Sequence, residues 1–349
     1  MENKKQILSM QLNVDDFAPA SDSEKESLSV MRESVSFWKD GLRRLRKNPI
    51  AMVSLAVLII VLILAFIVPA FYPYDYATQI RGSENLGPMQ YSEAEQAAMA
   101  AGEKVFPHIL GTDSLGRDYA VRVMMGTRVS LSVGLLASVL VLLIGSVYGS
   151  VAGFLGGKVD LFMMRIVDII YTVPDLLIII LLASTLKYPL QSLAEKPGFG
   201  WINIIGVPLI SILIVFALLY WVGMARIVRS QVLSVKQSDY VAAARVIGDS
   251  DVLIIFRHVL PNVMPSIIVR ATLGISSAIL DAAALGFLGL GVQPPAAEWG
   301  DMLGRGRNYI FAAPHAMIFP GLAITVTVLA FNLLGDGIRD AFDPKSRNR

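Results

Sequence analysis

The sequence predicts an all-α polytopic membrane protein with six transmembrane helices, and three observations indicate this fold class. The 349 residues are 54% hydrophobic and their mean hydropathy is +0.59, which is high for a protein whose whole surface meets water. Six apolar stretches have roughly the 20-residue length that crosses a bilayer. Arginine and lysine concentrate in the loops on one side of these stretches. An unusually apolar soluble helical protein is the alternative.

The composition also excludes several functions. The chain has no cysteine, which rules out disulfides and thiolate metal sites. Its formal net charge of +2 is too small to indicate a nucleic-acid binder. We find no phosphate-binding lysine loop, no cluster of metal ligands and no nucleophile elbow. We therefore expect no catalytic residue, no metal site and no cofactor bound by this chain.

Residues 1–48 predict a cytoplasmic tail that ends in a basic interfacial helix. Phe37 and Trp38 stand beside a cationic cluster at 43–47, and this mixture is typical of a helix lying in the membrane interface. The first span, residues 49–71, follows. The basic cluster before it places the N-terminus in the cytoplasm. We do not interpret the start as a signal peptide, since the apolar run begins too late and lacks a cleavage site.

The next segment, residues 72–127, is predicted to be extracytoplasmic. It contains a polar insert at about 75–105, for which a short helix is the expected structure. The stretch His108–Leu131 is rich in turn-forming residues and predicts the entry to a helix. Asp113 or Ser114 is its expected N-cap.

The second predicted span, Val129–Leu155, carries a repeat of glycines. They recur every four residues, so one helical face is stripped of side chains along three turns and another helix can approach closely. We expect a packing seam, either with a helix of this chain or with a partner subunit. The glycines of the repeat are Gly145, Gly149, Gly153 and Gly157.

The third and fifth predicted spans contain acidic residues that are candidates for the transport pathway. In the third, Val159–Leu186, Asp168 and Asp175 are seven residues apart and share one helical face, with Arg165 in pairing distance of Asp168. Pro174 predicts a kink there. In the fifth, Val263–Leu290, the mid-span acid is Asp281. Carboxylates in a membrane face protein or water. Asp175 is the better pathway candidate of the third span, whose other charges are also explained if the helix extends beyond the bilayer. Asp281 either lines a pathway or is a paired or water-facing structural residue.

The remaining spans complete the topology. The fourth is Ile204–Val222, after an outer loop at 187–203, and the sixth is Met317–Leu334, before a cytoplasmic tail at 341–349. The loop after the fourth span is rich in arginine, which places it in the cytoplasm. Span counting gives the same side.

That cytoplasmic loop is expected to form a compact helical knob at 239–262. An alanine-rich helix, Tyr240–Ile247, meets Gly248, a helix terminator that accepts left-handed geometry. A second helix can begin at Ser250 or Asp251, both N-cap residue types, and end at Pro261.

Four sequence strings resemble those of one transporter family. They are Gly-Thr-Asp-Ser-Leu-Gly-Arg-Asp at 111–118, the alanine–glycine–proline pattern of the knob, Phe-Leu-Gly-Leu-Gly-Val-Gln-Pro-Pro at 287–295 followed by Trp-Gly-Asp-Met-Leu, and Asn-Leu-Leu-Gly-Asp-Gly-Ile-Arg-Asp at 332–340. In this order they resemble the C-type permease subunit of oligopeptide and dipeptide ABC importers, over residues 40–349 apart from the polar insert. One departure is Ala242, where the knob's "EAA" motif has glutamate.

The resemblance implies a type I ABC importer permease fold with a core at 128–340 and a coupling loop at 225–262. It also implies a bacterial cytoplasmic membrane protein in contact with lipid. The expected partners are a homologous second permease forming a heterodimer, two ATPase subunits that carry ATP and Mg, and an extracytoplasmic peptide-binding protein. Glu298 and Asp301 would lie on the outer loop where that protein docks. The expected ATPase-coupling residues are Ala243, Ala244, Arg245, Gly248, Asp251, Arg257, Leu260 and Pro261.

The resemblance leaves the substrate open. Oligopeptides are the first expectation, and dipeptides, nickel and glutathione are alternatives. The sequence does not choose among them, because a pore lined by small and apolar residues offers few side chains that would distinguish one substrate from another. A secondary transporter would need ion-coupling carboxylates and usually an internal repeat, which we do not find. An intramembrane enzyme would need a catalytic pair, which is also missing.

Overall fold

A computed structural model describes residues 37–292 and 296–342. Six of its helical stretches are long and apolar enough to cross a membrane, which confirms the predicted fold class: Pro49–Ala70, Tyr119–Leu155, Leu177–Ala194, Val207–Val235, Asp251–Phe287 and His315–Phe342. Within the described ranges the β-structure is one isolated bridge between Thr112 and Asp118. The predicted tail up to residue 36, the Gln-Pro-Pro string at 293–295 and the C-terminal residues 343–349 lie outside the described residues.

We number the helices in chain order. They are α1 Phe37–Lys47, α2 Pro49–Phe66, α3 Glu93–Ala100, α4 Tyr119–Leu155, α5 Gly157–Thr172, α6 Asp175–Ala194, α7 Trp201–Ile205, α8 Val207–Leu219, α9 Trp221–Val235, α10 Asp239–Ile247, α11 Asp251–Ile254, α12 Leu260–Phe287, α13 Trp299–Gly306 and α14 His315–Phe342. A π turn, Ile255–Val259, joins α11 to α12. The 3-10 turns Val68–Ala70 and Arg307–Tyr309 follow α2 and α13.

The basic helix α1 forms as predicted and packs beside the end of α14. The Trp38 ring meets the Phe342 ring edge-on at a centroid distance of 5.4 Å. Asn48 then caps α2, since its side chain accepts hydrogen bonds from the N–H groups of Ile50 and Ala51. At the same end of the molecule, Gly337 of α14 allows close contact with the first turn of α2.

Two predicted helix boundaries were wrong because a different residue provides the start or the break. The helix of the second span begins at Tyr119, capped by Asp118, whose side chain accepts from the Val121 N–H at 3.0 Å. The predicted third span is two helices, α5 and α6, because the chain is extended at Val173 and Pro174. Asp168 and Asp175 therefore lie on different helices. Residues 187–194, predicted as a loop, continue α6.

The fourth and fifth spans are longer than predicted. The fourth runs to Val235 with a change of helix at Tyr220. The second helix of the knob does not end at Pro261 but continues into the fifth span. The π turn directly before Pro261 explains this, since it loosens the hydrogen-bond ladder where proline has no N–H.

The glycine repeat of α4 forms a seam with α9 of the same chain. A Cβ atom placed on Gly145 would lie 2.6 Å from the Cβ of Met224, and one on Gly149 would lie 2.4 Å from the carbonyl oxygen of Ala225. Gly153 faces the carbonyl oxygen of Arg229 in the same way. Gly157 was wrongly included in this face. It begins α5 with φ +55°, and a Cβ atom placed on it would have no neighbour within 4 Å.

The polar insert and the turn-rich stretch fold together as a cap, which we define as residues 72–118. The short helix α3 lies in the insert as expected. Glu95 of α3 and Asp118 both contact the buried His108, at 3.0 Å from Nε2 and 2.8 Å from Nδ1. Burial lowers the pKa of His108, but the two carboxylates outweigh it and the net shift is upward. These contacts fix the insert to the start of α4.

The string at 111–118 has a structural role in the cap. Asp113, expected as an N-cap, instead accepts from the N–H groups of Leu115 and Arg117 and pairs with the side chains of Arg117 at 2.7 Å and Arg122 at 3.4 Å. Gly116 has φ +70°, and any side chain there would collide with the backbone of Ile80. The residues of this string therefore stabilise the fold of the cap.

The seam predicts that G149A destabilises the protein. The added methyl group meets backbone that cannot move without separating α4 from α9, and overpacking of this kind costs about 1–3 kcal/mol. The thermal midpoint in detergent should fall. The matched control is G223A on α9, where a Cβ meets nothing within 4 Å; this change should be neutral or slightly stabilising. Equal midpoints for the two variants would contradict the seam.

Candidate functional site

The knob, residues 239–262, projects from the end of the molecule opposite the cap. Gly248 joins α10 to α11 with φ +94° and ψ +17°, the left-handed conformation expected for it. Its N–H and that of Asp249 bond the carbonyl oxygens of Arg245 and Ala244 and close the end of α10. Ser250 caps α11 by accepting from the Leu253 N–H.

The inner side of the knob belongs to one large hydrophobic cluster with the membrane helices. Val241, Ile254 and Val259 are completely buried against Val228 and Val232 of α9, in a cluster that also includes Phe154 of α4 and Ile267 of α12. A displacement of the knob must therefore displace these helices as well. This is the geometry that coupling between an external protein and a pore requires.

The outer side of the knob is unexpectedly apolar. Val246 is 88% exposed and Ile247 81%, immediately before Gly248, and Val252 and Phe256 are exposed after it. We did not predict this patch, since none of these four apolar side chains is among the expected coupling residues. The available signal was that Val246 and Ile247 precede a glycine turn, where a helix end has no neighbour to cover them.

The predicted coupling residues divide into two groups. Ala244 is buried in the cluster and Leu260 packs against it, so both have a place in the core. The guanidinium of Arg245 lies over the Phe154 ring at 5.1 Å. The others are exposed on the knob: Ala243, Arg245, Gly248, Asp251, Arg257 and Pro261.

The acids of α5 pair with α9. Asp160 binds Arg229 through two hydrogen bonds, and Asp168 pairs with Arg226 at 2.8 Å. The expected Arg165–Asp168 pair is replaced by this contact, because the break at Val173 turns α5 against α9. These pairs tether α5 to α9 beside the later part of the seam.

Of the two pathway candidates, the structure describes the side chain of Asp281 only. The side chain of Asp175 lies outside the described residues. Asp281 is half-buried on α12 and shares a helical face with Ser277, Gly274 and Arg270, at spacings of four, three and four residues. The sequence analysis overlooked Arg270, although a charged residue inside a predicted span was a visible signal.

Glu298 and Asp301 do not form the predicted outer docking surface, because the structure buries them. Glu298 is 1% exposed and Asp301 5%. Oε2 of Glu298 accepts from the Val292 N–H at 3.2 Å, while Oε1 has no hydrogen-bond partner in the described part of the chain. Burial raises the pKa of Glu298 to about 8. The neighbouring Trp299, also buried, draws α13 onto α4, and sequence alone did not show which way these acids point.

Comparison with known proteins gives a consistent set of matches. The family described as binding-protein-dependent transport system inner membrane component matches residues 142–348. The family described as N-terminal TM domain of oligopeptide transport permease C matches residues 36–88. The first match contains three of the four sequence strings, and the second covers α1 and α2.

Individual relatives match along nearly the whole chain. The chain is 38% identical over 331 residues to the oligopeptide transport system permease protein OppC of Bacillus subtilis (strain 168), covering 95% of this chain and 97% of that protein. It is 39% identical to the dipeptide transport system permease protein DppC of the same organism, covering 95% and 93%. It is 37% identical to the glutathione transport system permease protein GsiD of Pectobacterium atrosepticum, covering 89% and 92%.

The buried Glu298 predicts a pH-dependent stability. Because its pKa is raised from 4.5 to about 8, the folded protein favours the protonated form, and this stabilisation is lost as pH rises from about 4.5 to about 8. E298Q should remove that loss, which is at most about 1.4 kcal/mol per pH unit. Thermal midpoints in detergent at pH 5 to 9 test it, with the exposed E103Q as control. Parallel wild-type and E298Q curves would contradict the assignment.

Proposed function

Because this chain belongs to the binding-protein-dependent transport system inner membrane component family, we propose that it forms half of the pore of an ATP-driven ABC importer for peptides. The observation that carries this proposal is the knob. It joins an exposed apolar tip, formed by Val246, Ile247, Val252 and Phe256, to a buried cluster that includes residues of α4, α9 and α12. Family membership also argues against a secondary transporter.

Peptides are the proposed substrate class, with oligopeptides first. The three relatives described above are named for oligopeptide, dipeptide and glutathione transport, and all three substrates are peptides. Their identities lie between 37% and 39%, so similarity does not rank them. Dipeptides and glutathione are therefore alternatives within the class, and nickel is an alternative outside it.

ATP and Mg are assigned to two partner ATPase subunits. The tip of the knob would sit in a cleft of one of these, with Val246 and Val252 supplying apolar contact and Asp251 and Arg257 the surrounding charges. Since Ala242 replaces the glutamate of the related motif, a carboxylate contact from that position is missing. Movement of the ATPases would then move the knob and its attached helices together, which is alternating access by rigid-body motion.

Two further partners fit the remaining surfaces. A homologous second permease would cover the exposed apolar residues of α5, which include Leu161, Phe162 and Ile169. An extracytoplasmic peptide-binding protein would meet the cap. This arrangement places the knob and both termini in the cytoplasm, in agreement with the basic residues of α1 and of the knob.

Reconstitution tests the proposed function. This chain is assembled in vesicles with its partner permease, ATPase subunits and binding protein, and uptake of labelled peptides of two to eight residues is measured with and without ATP. We expect uptake that needs ATP and the binding protein. Uptake driven by an ion gradient without ATP would identify a secondary transporter, and uptake of nickel but no peptide would change the substrate class.

The turn at Gly248 predicts an uncoupled variant. G248V forces a β-branched residue into left-handed geometry, which costs about 1–3 kcal/mol locally, so the tip should change shape. Peptide uptake should fall while ATPase activity and membrane insertion persist. G248N is the matched control, because asparagine tolerates this conformation and the structure leaves room for a Cβ atom. Normal uptake by G248V would remove the coupling role.

Asp281 predicts a second variant with a transport defect. D281N removes a negative charge from a face of α12 that we assign to the pathway, and uptake should fall while ATPase activity and complex assembly are kept. D281E, which keeps the charge, should retain most of the uptake. Unchanged uptake by D281N would make Asp281 a structural residue.

A further inference from the structure

Arg270 places a positive charge inside a membrane-spanning helix, near its knob end. It lies on α12, nine residues before Ile279, which is about 14 Å along the helix. Ile279 packs in one cluster with Val61 of α2. Because α2 begins twelve residues before Val61, Arg270 is level with the first turn of α2. Arg270 therefore lies about one helical turn inside the knob end of the membrane-spanning helices.

The guanidinium of Arg270 lacks the partners that other arginines at this end of the membrane have. Arg226 and Arg229 are paired with the acids of α5. Arg270 is exposed, and in the described part of the chain no side chain forms a hydrogen bond or ion pair with it. A guanidinium without a charged partner needs hydrogen bonds from water or from other polar groups. Arg270 must therefore face water or another polar group.

The surroundings of Arg270 favour water. A cavity of about 70 Å³ beside it is lined by Ser138, Ser277, Gly274 and Tyr220 together with apolar residues, and a space of this size holds a few water molecules. The same face of α12 continues through Gly274 and Ser277 to Asp281. Small and polar residues along one face are suited to a water-filled path and not to lipid contact.

We propose that Arg270 binds the carboxylate group of a peptide as it crosses the membrane, an inference that rests on the proposed function. A guanidinium binds a carboxylate through two parallel hydrogen bonds. Every peptide with a free C-terminus carries such a group, and acidic side chains supply the same chemistry. The site would therefore hold any peptide independently of most side chains, while the exposed position of Arg270 allows release.

Accessibility to water is the first test. The chain has no cysteine, so R270C introduces its single thiol. In the complete complex, a charged water-soluble thiol reagent should label R270C at least about tenfold faster than V53C, a control at the same level on the exposed surface of α2, where Val53 is 64% exposed. Peptide trapped in the pore should slow the labelling of R270C. Equal labelling of the two variants would overturn the proposal.

Uptake by charge variants is the second test, with each peptide expressed as the ratio of variant to wild type. R270Q should lower uptake of peptides with a free C-terminus about tenfold, the value of one charge-assisted contact, and R270K should lower it less. Amidated peptides without acidic residues should be unaffected by R270Q. Amidated peptides with one aspartate then identify which carboxylate binds. If R270Q lowers their uptake, Arg270 binds side-chain carboxylates as well as the C-terminus. If their uptake is unchanged, Arg270 binds the C-terminal carboxylate alone.

Restoring the positive charge by chemical modification provides a control that uses peptides with a free C-terminus only. Its result therefore does not depend on whether the binding protein accepts amidated peptides. Reaction of R270C with a reagent that adds an ammonium group should restore uptake, whereas one that adds a sulfonate should not. An equal loss for all peptides, or loss of assembly with the partner permease, would mean that Arg270 pairs with that subunit and would overturn the proposal. Unchanged uptake by R270Q would also overturn it while leaving peptide import intact. If the wild-type complex moves no peptide, the proposed function fails, and this inference fails with it.

Discussion

The contact between α4 and α9 is the constraint on which the rest of the structure depends. In lipid no hydrophobic effect drives helices together, so close backbone approach must provide the attraction. Gly149 provides it by placing α4 against the carbonyl oxygen of Ala225. At the end of the seam, Phe154 of α4 packs in the hydrophobic cluster that holds the knob. Asp160 joins α5 to α9 through Arg229. The proposed coupling path and the proposed contact with a second permease therefore both depend on the packing of α4 against α9.

The opposite end is organised by charge instead of close packing. Asp113 gathers Arg117 and Arg122, and Asp118 both caps α4 and binds His108. These groups are buried and each is paired, as buried charges must be. The string at 111–118 that carries the family resemblance is therefore explained by the folding of the cap. Its presence in a sequence does not by itself locate a substrate.

Sequence patterns could predict the six spans because length and apolarity alone define them. The knob was equally accessible, since Gly248 and Ser250 are local signals for a turn and a cap. The break at Val173 was missed because proline predicts either a kink or an end, and packing against α9 decides between them. The burial of Glu298 could not be predicted, since an acid in a loop is usually exposed. Arg270 was overlooked because averaging over a span hides one charge.

The continuous helical stretch from Asp251 to Phe287 has a mechanical consequence for the proposed import. Its 37 residues would reach about 55 Å if straight, and the π turn at Ile255–Val259 and the proline inside α12, Pro265, are the points at which it can bend. In the proposed transport cycle the part beyond these points would act as a lever, with its fulcrum where the hydroxyl of Ser138 of α4 donates to the carbonyl oxygen of Ala271. The two arms of a lever move in opposite directions. Opening on one face of the membrane and closing on the other would then be a single motion.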